Sequence, residues 1–63
     1  MKIKEFRLSE NMTQEELATK IGVTRSTVAM WEAGEAKPRV ETLLSIAKIF
    51  NCTTDELLKE ESV

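Results

Sequence analysis

Apolar residues recur along this chain at the spacing of helical turns, and the pattern predicts five short helices. The first runs from about Lys2 to Glu10, with Ile3 and Phe6 one turn apart and Asn11 placed to stop it. Leu17, Ala18 and Ile21 make the buried stripe of the second. Val28 and Trp31 face inward on the third, which ends near Ala33. The fourth follows Pro38 and places Val40, Leu43, Leu44, Ala47 and Phe50 at helical spacing. The fifth carries Leu57 and Leu58, and Glu60 to Val63 read as a frayed end.

The polar residues between these stripes supply starts and stops. Thr13-Gln14-Glu15-Glu16 is a capping box: the Thr13 hydroxyl accepts from the Glu16 amide, and Glu16 reaches back. Thr53 and Glu56 form a second one. Thr24 caps the third helix. Gly22 and Gly34 end the second and third, because glycine turns through positive φ without a Cβ clash. Glu35 to Pro38 is a loop.

The turn through Gly22 is too tight for parallel packing, so the two helices it joins meet at a steep angle, the helix-turn-helix arrangement. Ala18 faces this corner, where a larger side chain would push the helices apart. Val23 and Val28 seal its inner side. The second helix of the pair then offers Arg25, Ser26, Thr27 and Met30 outward.

Composition limits what such a surface serves. At 63 residues, 41% hydrophobic and 32% charged, the chain is expected to be one all-α domain spanning residues 1–63. A chain this short buries about 60% of its unfolded surface, which leaves no deep substrate cleft. With no histidine and one cysteine there is no zinc site and no Ser–His or Cys–His pair. Glu15 and Glu16 serve the helix start rather than acid–base chemistry. No metal, no cofactor and no enzyme activity are therefore expected. Cys52 reads as a small core filler, and an unstapled domain suits the cytosol. No apolar run approaches a membrane span. Net charge is −2, but its distribution is polar: residues 1–39 sum to +1 and residues 40–63 to −3. A nucleic acid would meet the first part.

The sequence resembles a known family. Thr13-Gln14-Glu15-Glu16-Leu17-Ala18, Ile21-Gly22-Val23, Thr24-Arg25-Ser26-Thr27-Val28 and Trp31-Glu32-Ala33-Gly34 are similar to the Cro/phage-repressor, or XRE-like, helix-turn-helix. Lys37-Pro38, Glu41-Thr42-Leu43-Leu44 and Thr54-Asp55-Glu56-Leu57-Leu58 continue the likeness, which covers essentially the whole chain. The resemblance implies a compact five-helix, lambda-repressor-like domain acting as a small bacterial or phage transcription regulator, usually a dimeric repressor. Its third helix would enter the major groove of double-stranded DNA.

Carried over by position, Arg25, Ser26, Thr27 and Met30 are the base-facing candidates. Gln14 would sit beside a phosphate and brace the base-contacting side chains. Thr24 would cap the third helix and touch backbone, and Lys37 and Arg39 would add charge near the start of the fourth. Arg25 offers a planar fork for guanine O6 and N7, worth about 1–3 kcal/mol of discrimination when bidentate. A cation at a helix N-terminus opposes the helix dipole, so its placement there suits a facing anion. Two roles stay open for Met30, contact with a thymine methyl group or cover for the domain's edge. Trp31 belongs to the core rather than to base stacking. The resemblance also implies an Arg7–Glu32 ion pair between the first and third helices.

Three residues depart from the family pattern. Arg39 stands where a small capping residue is common, Ala33 replaces a frequent asparagine, and Glu35 places negative charge in a loop near phosphates. Leu8 is either an exposed apolar residue or part of a contact surface. Phe50, Leu57, Leu58 and Val63 are expected to form a homodimer surface at the acidic end. A dimer would read an inverted repeat with half-sites about 34 Å apart. Its log K would fall with log salt at a slope of about −5 if each subunit neutralises about three phosphates. A competing reading is a protein-interaction module, such as an antitoxin or antirepressor subunit, using the same scaffold.

Overall fold

Threonine hydroxyls set where three of the helices begin. In the computed structural model, which describes residues 1–59, the elements are α1 (Ile3–Ser9), α2 (Gln14–Ile21), α3 (Arg25–Ala33), α4 (Val40–Ile49) and α5 (Thr54–Leu58). Thr13, Thr24 and Thr53 hold extended backbone and accept from the amides of Glu16, Thr27 and Glu56. Glu16 and Glu56 return to the Thr13 and Thr53 amides at 2.8 and 2.9 Å, closing both capping boxes. Each such cap contributes about 1 kcal/mol relative to alanine. Arg39 occupies the corresponding position before α4 and makes no side-chain cap, as its residue type implied.

Two asparagines close α1 and α4 in the same way. Asn11 and Asn51 take left-handed backbone, at φ 54° and 53°. The Met12 amide donates to the Arg7 carbonyl at 3.0 Å and the Asn11 amide to Leu8 at 3.1 Å. The Cys52 amide donates to Ala47 at 2.9 Å and the Asn51 amide to Lys48 at 3.2 Å. Both are Schellman closures, in which the chain reverses and satisfies the last carbonyls. Asn11 was the expected stop; Asn51 was given no role. Gly22 and Gly34 sit at φ 87° and 79°, and a Cβ added to either meets nothing within 4 Å. Backbone conformation, not crowding, is what requires glycine there.

The core forms among the five helices, with α2 packed on α3 and α4, α1 on α3, and α5 on α4. Ile3, Leu17, Val28, Ile46 and Leu57 are fully buried, with Ala18, Trp31, Leu43 and Phe50 around them. Fully burying an aliphatic side chain of this size contributes about 1.5–3 kcal/mol. Ala18 is buried in α2 as expected, Val23 packs partly on the core, and Trp31 is a core residue. Cys52 is half-buried against the same cluster, and burial together with the Glu56 charge pushes its thiol above the ordinary range.

Two expectations need correction. Val40 and Leu44 do not belong to the buried stripe of α4; they are 72% and 51% exposed. The buried side runs through Leu43, Ile46, Ala47 and Phe50, so Ile46 replaces them in the core. Phe50 and Leu57 are not surplus apolar surface either. Phe50 stacks on Phe6 with ring centroids 5.8 Å apart, and Leu57 is fully buried. Of the four residues expected at a homodimer surface, Leu58 remains 45% exposed. Val63, like the frayed end expected at Glu60 to Val63, lies outside the described residues.

Candidate nucleic-acid interface

The helix-turn-helix positions one exposed face. Gly22 reverses the chain, Val23 turns in, and Thr24 starts α3 three residues after α2 ends. With Val28 and Trp31 anchoring one side of α3, the 100° step of a helix places Ser26, Met30 and Ala33 on the opposite side. All three are exposed, as is Arg25 on the flank. Met30 is 39% exposed, which leaves its end available for contact. Ala33, two turns beyond Ser26, extends the same face.

Thr24 and Thr27 act as a pair. The Thr27 amide donates to Thr24 Oγ1 at 3.2 Å, and the two hydroxyl oxygens lie 2.9 Å apart. One hydroxyl donates to the other, so the pair keeps one hydroxyl hydrogen for an outside acceptor. Thr27 is half-buried and less open than Arg25 or Ser26.

Side-chain hydrogen bonds tie together the charged flank of this face. Arg7 is buried in α1 and grips Glu32 of α3 with two bonds, Nε to Oε2 at 2.7 Å and Nη2 to Oε1 at 3.1 Å. Its Nη1 donates to the Met12 carbonyl at 2.7 Å. This is the expected ion pair, and the carbonyl contact adds the α1–α2 connection to it. Gln14 Nε2 donates to Glu32 Oε1 at 3.0 Å, and Arg25 Nη1 donates to Gln14 Oε1 at 3.4 Å. Gln14 thus connects α2 to α3 twice over. Burial raises the Glu32 carboxyl's affinity for a proton. Hydrogen bonds from Arg7 and Gln14, with the charges of Arg7 and Lys4, outweigh burial and hold it below the usual carboxylate range. The bond to Glu32 correspondingly raises Arg7.

Between these groups lies an open groove of about 430 Å³ lined by Arg7, Thr13, Gln14, Glu15 and Arg25. It combines the amides that begin α2 with the exposed Arg25 guanidinium, a pairing suited to an anionic oxygen. Lys37 and Arg39 are exposed on the loop and cap before α4. The structure therefore brings Gln14 together with Arg25, and Thr24 with Thr27. Ser26 and Met30 share the outer face. Sequence reasoning did not identify Glu32 as the acceptor for Gln14. The only local signal was that Arg25 and Glu32 stand seven residues, two turns, apart on one helix.

Comparison with known proteins bears on the whole arrangement. The family model for the helix-turn-helix matches residues 3–57. The chain is 40% identical over 62 residues to the HTH-type transcriptional activator BcrR of Enterococcus faecalis, covering 98% of this chain and 30% of that protein. It is 43% identical over 56 residues to an uncharacterised HTH-type transcriptional regulator of Archaeoglobus fulgidus, covering 89% of this chain and 79% of the relative. It is 34% identical over 59 residues to the cryptic phage CTXphi transcriptional repressor RstR of Vibrio cholerae, covering 94% of this chain and 54% of the repressor. The chain thus spans most of the archaeal relative but only 30% of the Enterococcus activator.

Proposed function

The chain belongs to the XRE type of the helix-turn-helix family, DNA-binding regulators of transcription, and from that premise we propose that it binds double-stranded DNA sequence-specifically, as one domain, with α3 in the major groove. The observation that carries this reading is the exposed Arg25 guanidinium, held by Gln14 at the open end of α3. Ser26, Thr27 and Met30 meet bases beside it. Thr24 and Gln14 meet the sugar-phosphate backbone, and Lys37 and Arg39 meet phosphates at the start of α4. A repressor role, a cytoplasmic location and the absence of enzymatic activity are part of the same proposal.

The proposal includes a homodimer on an inverted repeat, with half-sites about 34 Å apart. Of the residues first considered for the interface, Leu58 is the one supported by its exposure. The acidic second part of the chain then faces away from DNA.

Selection of bound duplexes from a random pool at stated salt tests the proposal. A recovered palindrome with guanine at the position read by Arg25 is the expected result. Recovery of no sequence above background would defeat it. Exposed Leu8 and Leu44 favour a second reading, a protein-interaction module on the same scaffold. Arg25→Ala with Thr27→Ala abolishes DNA retention under the first reading and leaves partner capture intact under the second.

A further inference from the structure

Arg25 on the outer surface is joined to buried Arg7 by two intervening side chains, Gln14 and Glu32. The chemistry of the ends dictates the middle. A carboxylate only accepts hydrogen bonds and a guanidinium only donates them. An amide between the two has one satisfactory sense, its nitrogen toward Glu32 and its oxygen toward Arg25. Flipping Gln14 would place its oxygen against the Glu32 carboxylate and its NH₂ against the Arg25 guanidinium. Both contacts would be repulsive.

We infer that Glu32 is a specificity-determining positioning residue: through Gln14 it presents Arg25 in the orientation that reads a base. The inference rests on the DNA-binding reading above and deepens it. Glu32 reaches no groove itself, since its side chain is nearly fully buried beside Arg7. It is anchored at 2.7 Å to Arg7, which is in turn fixed to the Met12 carbonyl. The sequence of bonds therefore starts from a point held by α1 and the α1–α2 connection. At 3.4 Å the last bond is long, so it orients Arg25 without immobilising it. It engages Nη1 alone, which leaves the Nη2 and Nε edge of the same guanidinium as a planar fork for guanine O6 and N7. The other Gln14 amide hydrogen remains for a phosphate oxygen.

The test measures a ratio, because a lost phosphate contact lowers affinity for every duplex alike while lost positioning lowers only the preferred one. The selected duplex and its three replacements at the Arg25 base pair are titrated with wild type, Gln14→Leu, Glu32→Gln and Arg25→Ala. Preference for the selected base is expected to fall about tenfold in both Gln14→Leu and Glu32→Gln, approaching Arg25→Ala. Gln14→Leu leaves the Arg7–Glu32 pair in place, so it decides the matter even where Glu32→Gln does not fold. An unchanged preference in folded Gln14→Leu overturns the inference. Wild type that shows no base preference at any position removes the DNA-binding reading, and the inference with it. Base preference that survives in Arg25→Ala shows that Arg25 reads no base, which overturns the inference and the base-reading role of Arg25 while leaving DNA binding itself standing.

Discussion

The rings of Phe6 and Phe50 stack at a centroid distance of 5.8 Å with their planes 23° apart. That contact joins α1 to the last turn of α4 and removes Phe50 from any surface role. Phe50→Ala is expected to cost about 3 kcal/mol through lost burial and the cavity it leaves. Urea denaturation would show a lower midpoint at unchanged slope. A variant that keeps its midpoint but changes its sedimentation would return Phe50 to an interface.

Acid should weaken the fold through its carboxylates. Folding lowers the pKa of Glu32, where burial is outweighed by the bonds from Arg7 and Gln14, and of Glu16 and Glu56, each bonded to its capping threonine. A depressed carboxyl contributes stability that is present above its unfolded value, ordinarily 4.5, and is lost as pH falls through the folded one. Melting temperature should therefore stay level from neutral pH to about 5 and drop below that. At neutral pH, Glu32→Gln should cost about 3 kcal/mol, because it leaves the buried Arg7 charge without its partner. The acid-induced drop should be shallower in that variant. An equal drop in both proteins would assign it to other groups.

Asn51 holds left-handed backbone at φ 53°, which asparagine tolerates and alanine resists. Asn51→Ala should lose about 1 kcal/mol, a shift of roughly 5 °C in a domain this small. Asn51→Gly should melt at or slightly above the wild-type temperature. Equal losses in both variants would point to the side chain rather than the backbone.

Phosphate and base contacts separate by salt. Lys37→Ala and Arg39→Ala should each reduce the slope of log K against log salt by about 1 per subunit, with base preference unchanged. Arg25→Ala should instead flatten preference at one base pair. Filter binding at several salt concentrations distinguishes the two patterns. A wild-type slope near zero would remove both phosphate assignments.

The helix starts and most of the stops were legible because capping is local. A threonine hydroxyl satisfies the amide three residues on, and a glycine or asparagine reverses the chain just past a helix, so the signals sit within a few positions of what they terminate. The Gly22 turn and the outward Arg25, Ser26 and Met30 followed from the same short-range logic. The resemblance contributed Arg7–Glu32, a pair twenty-five residues apart that no local rule anticipates.

What tertiary structure alone decided was the direction of apolar residues on helices with apolar residues to spare. α4 carries six apolar side chains among its ten residues, so its sequence does not single out one buried side. Packing chose Ile46 over Val40 and Leu44, and Phe6 drew in Phe50. The bond from Gln14 to Glu32 likewise required α2 and α3 to pack together, because it joins positions eighteen residues apart. Local hydrogen bonding is written into neighbouring residues; burial is settled only when separate helices compete for the same interior volume.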